Sequence, residues 1–206
     1  MYFGAMSADG GATATALLEG DPMDPALARL RRVATLPRPT RAALAGAMRL
    51  AGERRAADLV SWVGERTTTG AWELARRARA FRLRVLGAMR EAGLDALLCP
   101  AHATPAMPHG LSRDFAVAGT SSMVWNLVQF PAGVVPVSAV QADEVVRERP
   151  QGRVEANAAA IDARSQGLPL GVQIVGRPWA DEEVLALMVE VEDALASDPI
   201  RPRTPR

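Results

Sequence analysis

Three short apolar runs constrain this chain most: DALLCPA at 95–101, AGVVPV at 132–137 and LGVQIVG at 170–176. Each is bounded by Pro or Gly, is too short for a helix, and shows no alternation of apolar with polar residues. Runs of that kind predict strands buried on both faces. The segments between them carry helical patterns, so the expected fold class is α/β, with the sheet covered by helices on both faces. Three strands are few for so many helices, which predicts a sheet larger than these residues supply.

The helical segments are legible to different degrees. The spacing of Phe81, Val85 and Met89 predicts a long helix over 69–92, ended by Gly93. Val184, Leu187, Met188, Val191 and Leu195 fall on one face of a helix that opens with Asp181, Glu182 and Glu183, where the helix dipole favours acids. Asp24 and Pro25 open another helix, which LPRPT at 36–40 breaks. Residues 41–52 form a short amphipathic pattern on Leu44 and Met48, and Leu59, Trp62 and Val63 continue the stripe. A short helix is expected at 120–128. Residues 102–118 read as loop, 141–166 as a charged, Ala-rich excursion without strong period, and 197–206 as a Pro/Arg-rich tail.

Composition narrows the function. The 206 residues carry 24 basic side chains, all arginine, against 23 acids, for a net charge of +1. That balance argues against a nucleic-acid partner. The absence of lysine removes any lysine base. Cys99 alone cannot form an internal disulfide, which favours a reducing compartment. No window approaches a membrane span and no signal peptide opens the sequence, so a cytoplasmic location is expected. Charge is uneven along the chain. Eight arginines between Arg29 and Arg55 face one acid, Glu53, while seven acids and no base lie between Asp181 and Asp198. The basic block, beside its apolar stripe, is open to anionic membrane surfaces or is a solvated face.

Residues with chemical potential are scattered. Ser121 and Ser122 need a base and an oxyanion hole to act as nucleophiles. His102 and His109 are the bases on offer, and the plainer reading has the serines capping the helix that follows. Cys99, His102 and His109 have a spacing that matches no standard zinc site. Asp9-Gly10-Gly11 reads as a turn. No cofactor or metal is expected.

NLVQFPAGVVPV followed by GLPLGVQIVGRPWADEEVLALMVEVE resembles the C-terminal part of amidase-signature hydrolases, closest to the fatty acid amide hydrolase branch. SADGG at 7–11, GDPMDP at 20–25, LP at 36–37, GAWEL at 70–74 and LDALLCP at 94–100 follow in the same order, so the resemblance covers essentially the whole chain. It implies a partial amidase-signature fold: residues 1–196 as the C-terminal half of one domain with a mixed twisted sheet and a helical cap over about 30–66. It also implies amide hydrolysis by a Ser–Ser–Lys relay whose members and Gly-rich loop lie upstream of anything present here, leaving Ser121 and Ser122 as wall.

What carries over is the substrate channel, with Met6, Ser7, Leu30, Leu59, Val63 and Met123 at matching positions. An apolar set of that kind suits an acyl chain. The resulting expectation is the C-terminal half of a bacterial-type serine amidase for small-molecule amides with an apolar acyl chain, inactive alone and poorly soluble. Peripheral membrane contact through the Arg-rich cap and a homodimer of the full-length enzyme remain open. The alternatives are an amidotransferase A subunit or a non-catalytic membrane-surface module.

Overall fold

The computed structural model describes residues 1–114 and 116–202; the last four residues of the Pro/Arg-rich tail, 203–206, lie outside the described residues. The chain divides into two compact units, Met1–Ala80 and Phe81–Arg206.

The first unit is helical: α1 (Tyr2–Met6), α2 (Ala12–Leu17), α3 (Pro25–Thr35), α4 (Arg38–Leu50), α5 (Arg54–Trp62) and the start of α6 (Thr68–Glu91). The turn expected at Asp9-Gly10-Gly11 is present. The Asp9 carboxylate accepts the backbone N–H groups of Gly11 and Thr13, both at 2.8 Å, and so launches α2. Pro25 takes the first position of α3, as its missing N–H and fixed φ favour.

α4 packs against α5, and the sequence reading of its buried face needs correcting. Leu44 is 38% exposed, whereas Arg41 and Ala45 are the buried residues of α4. Ala45, and Ala57 on α5, are fully buried, and small side chains let two helix backbones come close. Arg41 is buried because it has work at the end of α3. Its Nη1 donates to the carbonyls of Ala34 (2.9 Å) and Leu36 (2.6 Å), acceptors that a helix terminus leaves open. Gly64 closes against the same group. It sits at φ +115, and a Cβ there would lie 2.2 Å from Arg41 Nη1 and 2.8 Å from the Ala34 carbonyl oxygen.

The second unit is built on one sheet. Strands β1 (Ala96–Pro100), β2 (Ala132–Ala139) and β3 (Pro169–Gly176) stand in the order β1-β3-β2, and both pairings are antiparallel. All three coincide with the apolar runs. Pro136 lies in β2, an edge strand among the described residues, beside an irregularity in the register at 136–138. A residue without an N–H is tolerated there.

Helices cover both faces of this sheet. On one face Val175, with Leu97 and Cys99, packs on Met89, Val85 and Phe81 of α6 and on Val128 of α7 (Thr120–Val128). On the other, Ile174 and Val135 pack on Val184, Met188 and Val191 of α9 (Asp181–Ala194). Leu187, expected on that buried face, is 39% exposed. α9 approaches closely because Gly133 and Gly176 lack side chains: a Cβ at Gly176 would meet Val184 Cγ2 at 2.5 Å.

The excursion at 141–166 is a second departure from expectation. It contains α8 (Gly152–Asp162), whose Ala158 and Ile161 are buried with Ala118. The Arg147–Asp162 ion pair, at 2.7 Å, ties the preceding loop to its end. The expected loop at 102–118 includes 3-10 turns at Leu111–Asp114 and Ala116–Gly119. Arg201 of the tail folds back onto α9, donating to the Glu192 carbonyl at 2.8 Å.

Three measurements check this account. Gly64→Ala will destabilise the first unit by about 1–3 kcal/mol, from backbone strain and displacement of Arg41. Gly46→Ala, inside α4 with no atom within 4 Å of the added Cβ, will stabilise it by about 0.5–1 kcal/mol. Amide hydrogen exchange in α4 and α5 reads both.

Met89→Ala will cost about 2–5 kcal/mol in denaturant unfolding, because Met89 is only 2% exposed between α6 and the sheet.

The Asp9 carboxyl is lowered from its ordinary 3.8 to about 2, first by its side-chain hydrogen bond with Thr13, then by the Thr13 and Gly11 amides. Its contribution to the α2 turn is therefore complete above 3.8 and disappears as pH falls through about 2. A carboxyl NMR titration will place that midpoint.

Candidate functional site

The six residues expected to line a channel fall unevenly across the structure. Met6 ends α1 and is 68% exposed. Ser7, its C-cap, is half-buried: its hydroxyl donates to the Phe3 carbonyl at 2.6 Å and accepts the Gly64 N–H at 2.9 Å. Val63 ends α5 and is 3% exposed, while Leu59 sits one turn earlier, partly buried. α1 packs on α5, so Met6, Ser7, Leu59 and Val63 share one neighbourhood of the first unit, held together by the Ser7–Gly64 bond. Leu30 stands on α3, 43% exposed, and α3 is tied to α2 by the Arg31–Thr15 hydrogen bond at 3.0 Å. Met123 belongs to the second unit, partly buried on α7.

The serine pair can be judged by its partners. α7 begins at Thr120 with Gly119 as N-cap and no side-chain cap bond, so Ser121 and Ser122 lie inside the first turn and do not cap the helix. Ser122 Oγ donates back to the Gly119 carbonyl at 3.0 Å. Neither serine hydrogen-bonds a histidine or a carboxylate among the described residues. Ser122 spends its hydroxyl on its own helix, and without a hydrogen bond to a base neither serine is activated as a nucleophile.

A cavity of about 750 Å³ in the second unit was not foreseen. Leu98, Val134, Leu170 and Val172 give it an apolar lining at the C-terminal end of β1, with Cys99 and His102 at one side. None of the six expected residues lines it. Its signal was present in the sequence only as a Pro- and His-rich loop after a strand. His102 Nδ1 lies 3.0 Å from the Thr104 carbonyl oxygen and 3.2 Å from Thr104 Oγ1, a local brace of that loop. The Cys99 thiol turns to Gln173 Oε1 at 3.8 Å. Among the described residues no three His, Cys, Asp or Glu side chains converge to hold a metal ion. The arrangement can bind apolar matter, and neither Ser121 nor Ser122 is hydrogen-bonded to a base among the described residues. No helix among the described residues is long and apolar enough to cross a membrane.

Comparison with known proteins places the chain in a family. A family model described as amidase matches residues 53–185, from just before α5 into α9, and so includes Leu59, Val63 and Met123. Fatty-acid amide hydrolase 1 of Sus scrofa is 33% identical over 198 residues, covering 94% of this chain and 34% of that protein. Fatty acid amide hydrolase 1 of Caenorhabditis elegans is 35% identical over 125 residues, or 56% of this chain and 21% of that protein. An amidase of Gibberella moniliformis is 35% identical over 106 residues. A solved fatty acid amide hydrolase superposes with a TM-score of 0.63 over 96% of this chain and 32% of its own, at 18% identity, which gives the fold. The chain thus spans about a third of the length of the pig relative and carries part of the amidase-signature fold. With the family model spanning well over half its residues, this chain belongs to the amidase family.

Proposed function

We propose that this chain is the C-terminal, substrate-binding portion of a serine amidase that hydrolyses carboxylic amides with an apolar acyl chain. The observation that carries the reading is the 33% identity to pig fatty-acid amide hydrolase 1 along nearly the whole chain. In this reading Met6, Ser7, Leu30, Leu59, Val63 and Met123 line the channel, and apolar burial of the acyl chain supplies affinity at about 0.8 kcal/mol per CH₂. Ser7 contributes the one polar group, and its hydroxyl is already engaged at both ends. In this reading the nucleophile and its lysine base come from a segment outside these 206 residues, a division supported by a sequence without lysine and paired serines that are not hydrogen-bonded to a base.

A second reading, contact with an anionic membrane surface, has one observation in its favour. Leu50 is 92% exposed at the end of α4, beside the exposed arginines 49, 54 and 55. An apolar tip ringed by cations suits an interface.

Two experiments test the first reading. A fluorophosphonate probe will leave the purified chain unlabelled, and long-chain primary amides will not turn over. Labelling at Ser121 or Ser122 overturns the division of labour. A photoreactive long-chain amide will crosslink to α3, α5 or α7, at or beside Leu30, Leu59 and Met123. Crosslinks confined to the cavity around Leu98 and Val172 assign the acyl chain elsewhere.

A further inference from the structure

The first unit carries a concavity of about 430 Å³ lined by three arginines, Arg38, Arg41 and Arg49, with Pro39, Ala42 and Ser61. No carboxylate lines it. Arg49 is neutralised by Asp58 at 2.7 Å, and also donates to Ser61 Oγ at 3.2 Å. Arg38 and Arg41 have no such partner among the described residues: neither makes an ion pair, and Arg41 bonds only two carbonyls. Both of those bonds use Nη1, so Nε and Nη2 of Arg41 donate to no protein acceptor. They are not sealed off either, since Arg41 contributes no atom to the buried, unpartnered set. Arg41 therefore brings to the wall of the cleft a guanidinium whose Nε and Nη2 are not spent on the protein.

The surroundings add to the positive field. α4 starts on Pro37 with no side-chain cap and no acid in its first turn, so its N-terminal dipole is uncompensated at Arg38. Arg66, whose Nε is buried without a partner, is held below its ordinary range by burial and then by the charges of Arg38, Arg41 and Arg77. Guanidinium groups gathered without a counter-charge repel one another, and an anion between them relieves that repulsion. An oxyanion supplies what is missing, because the planar fork of arginine matches its geometry with two parallel hydrogen bonds.

We propose that the cleft bounded by Arg38, Arg41, Arg49 and Ser61 is a binding site for a compact oxyanion of the phosphate class, received by the free edge of Arg41 and by Arg38. The anion is either free in solution or the headgroup of a lipid.

Titration of the full chain with inorganic phosphate, at ionic strength held constant with sodium chloride, tests this. The expected result is saturable binding that Arg38→Ala weakens roughly tenfold. Arg38 is exposed, so this variant keeps its fold, whereas Arg41→Gln also removes the α3 anchor. Arg84→Ala, at an exposed arginine of the second unit, will leave binding unchanged. Phosphatidylcholine vesicles with and without phosphatidate identify the source. Vesicle binding that inorganic phosphate displaces assigns the site to a headgroup, and phosphate binding without it assigns the site to a free anion; either upholds the proposal. The absence of saturable phosphate binding, or binding that Arg38→Ala does not change, overturns it.

Discussion

The first unit depends on one buried cation. Arg41 is 7% exposed, and the two carbonyls it bonds are open acceptors at the end of α3. Desolvating a guanidinium costs several kcal/mol, and peptide dipoles at a helix C-terminus are among the few neutral groups that offset it. That choice propagates. The space Arg41 occupies excludes any side chain at 64, so Gly64 is required there, and its φ of +115 suits no other residue well. The same glycine presents its N–H to Ser7, whose hydroxyl reaches back to Phe3. A run of contacts from α3 through α4 and the end of α5 to α1 thereby fixes the neighbourhood in which Met6, Ser7, Leu59 and Val63 meet.

The second unit solves a different problem, which is how three strands keep two apolar faces dry. Strand β3 takes both pairings and alternates its side chains between the helices: Val175 toward α6 and α7, Ile174 toward α9. The covering is incomplete at the edges. Leu98 on β1 is 68% exposed and Val134 on β2 is 48% exposed, and both line the large cavity. Apolar side chains left open on edge strands are a hazard unless something covers them. The chain spans about a third of the length of its pig relative.

The sequence was most informative where burial is expressed as periodicity. The three strands, the Phe81–Val85–Met89 stripe and the acidic start of α9 were each readable because large side chains recur at the spacing of their element. Gly93 was readable too, since φ +64 is what ends α6 there. Small side chains hid the rest. α8 buries Ala158 and Ile161 in an otherwise alanine-filled segment, so its pattern has little contrast. On α4 the buried line runs through Arg41 and Ala45, a cation and a methyl group, while the more conspicuous Leu44 turns outward. The Arg38–Arg41 cleft was invisible for a related reason. A block of eight arginines reads as a solvated face, and only the fold singles out one of them for burial. The family resemblance made up part of this deficit, reaching the amidase family through pairs of short motifs that no periodicity argument weighs.

What remains is the relation between binding and chemistry. Acyl recognition needs only apolar surface held in shape, which helices supply from many interchangeable residues. Hydrolysis needs a few groups with fixed acidity and sub-ångström placement. These demands can be met by different parts of a chain. The 206 residues hold exposed leucines and a methionine on helices, an apolar cavity beside the sheet, and arginines with permanent charge. They hold no side-chain amine that can release and recover a proton near neutrality. An arginine stays protonated in any protein site, so none of the 24 present can replace a lysine base. Their role in this chain is electrostatic and structural, as Arg41 shows by joining two helices while lining a cleft.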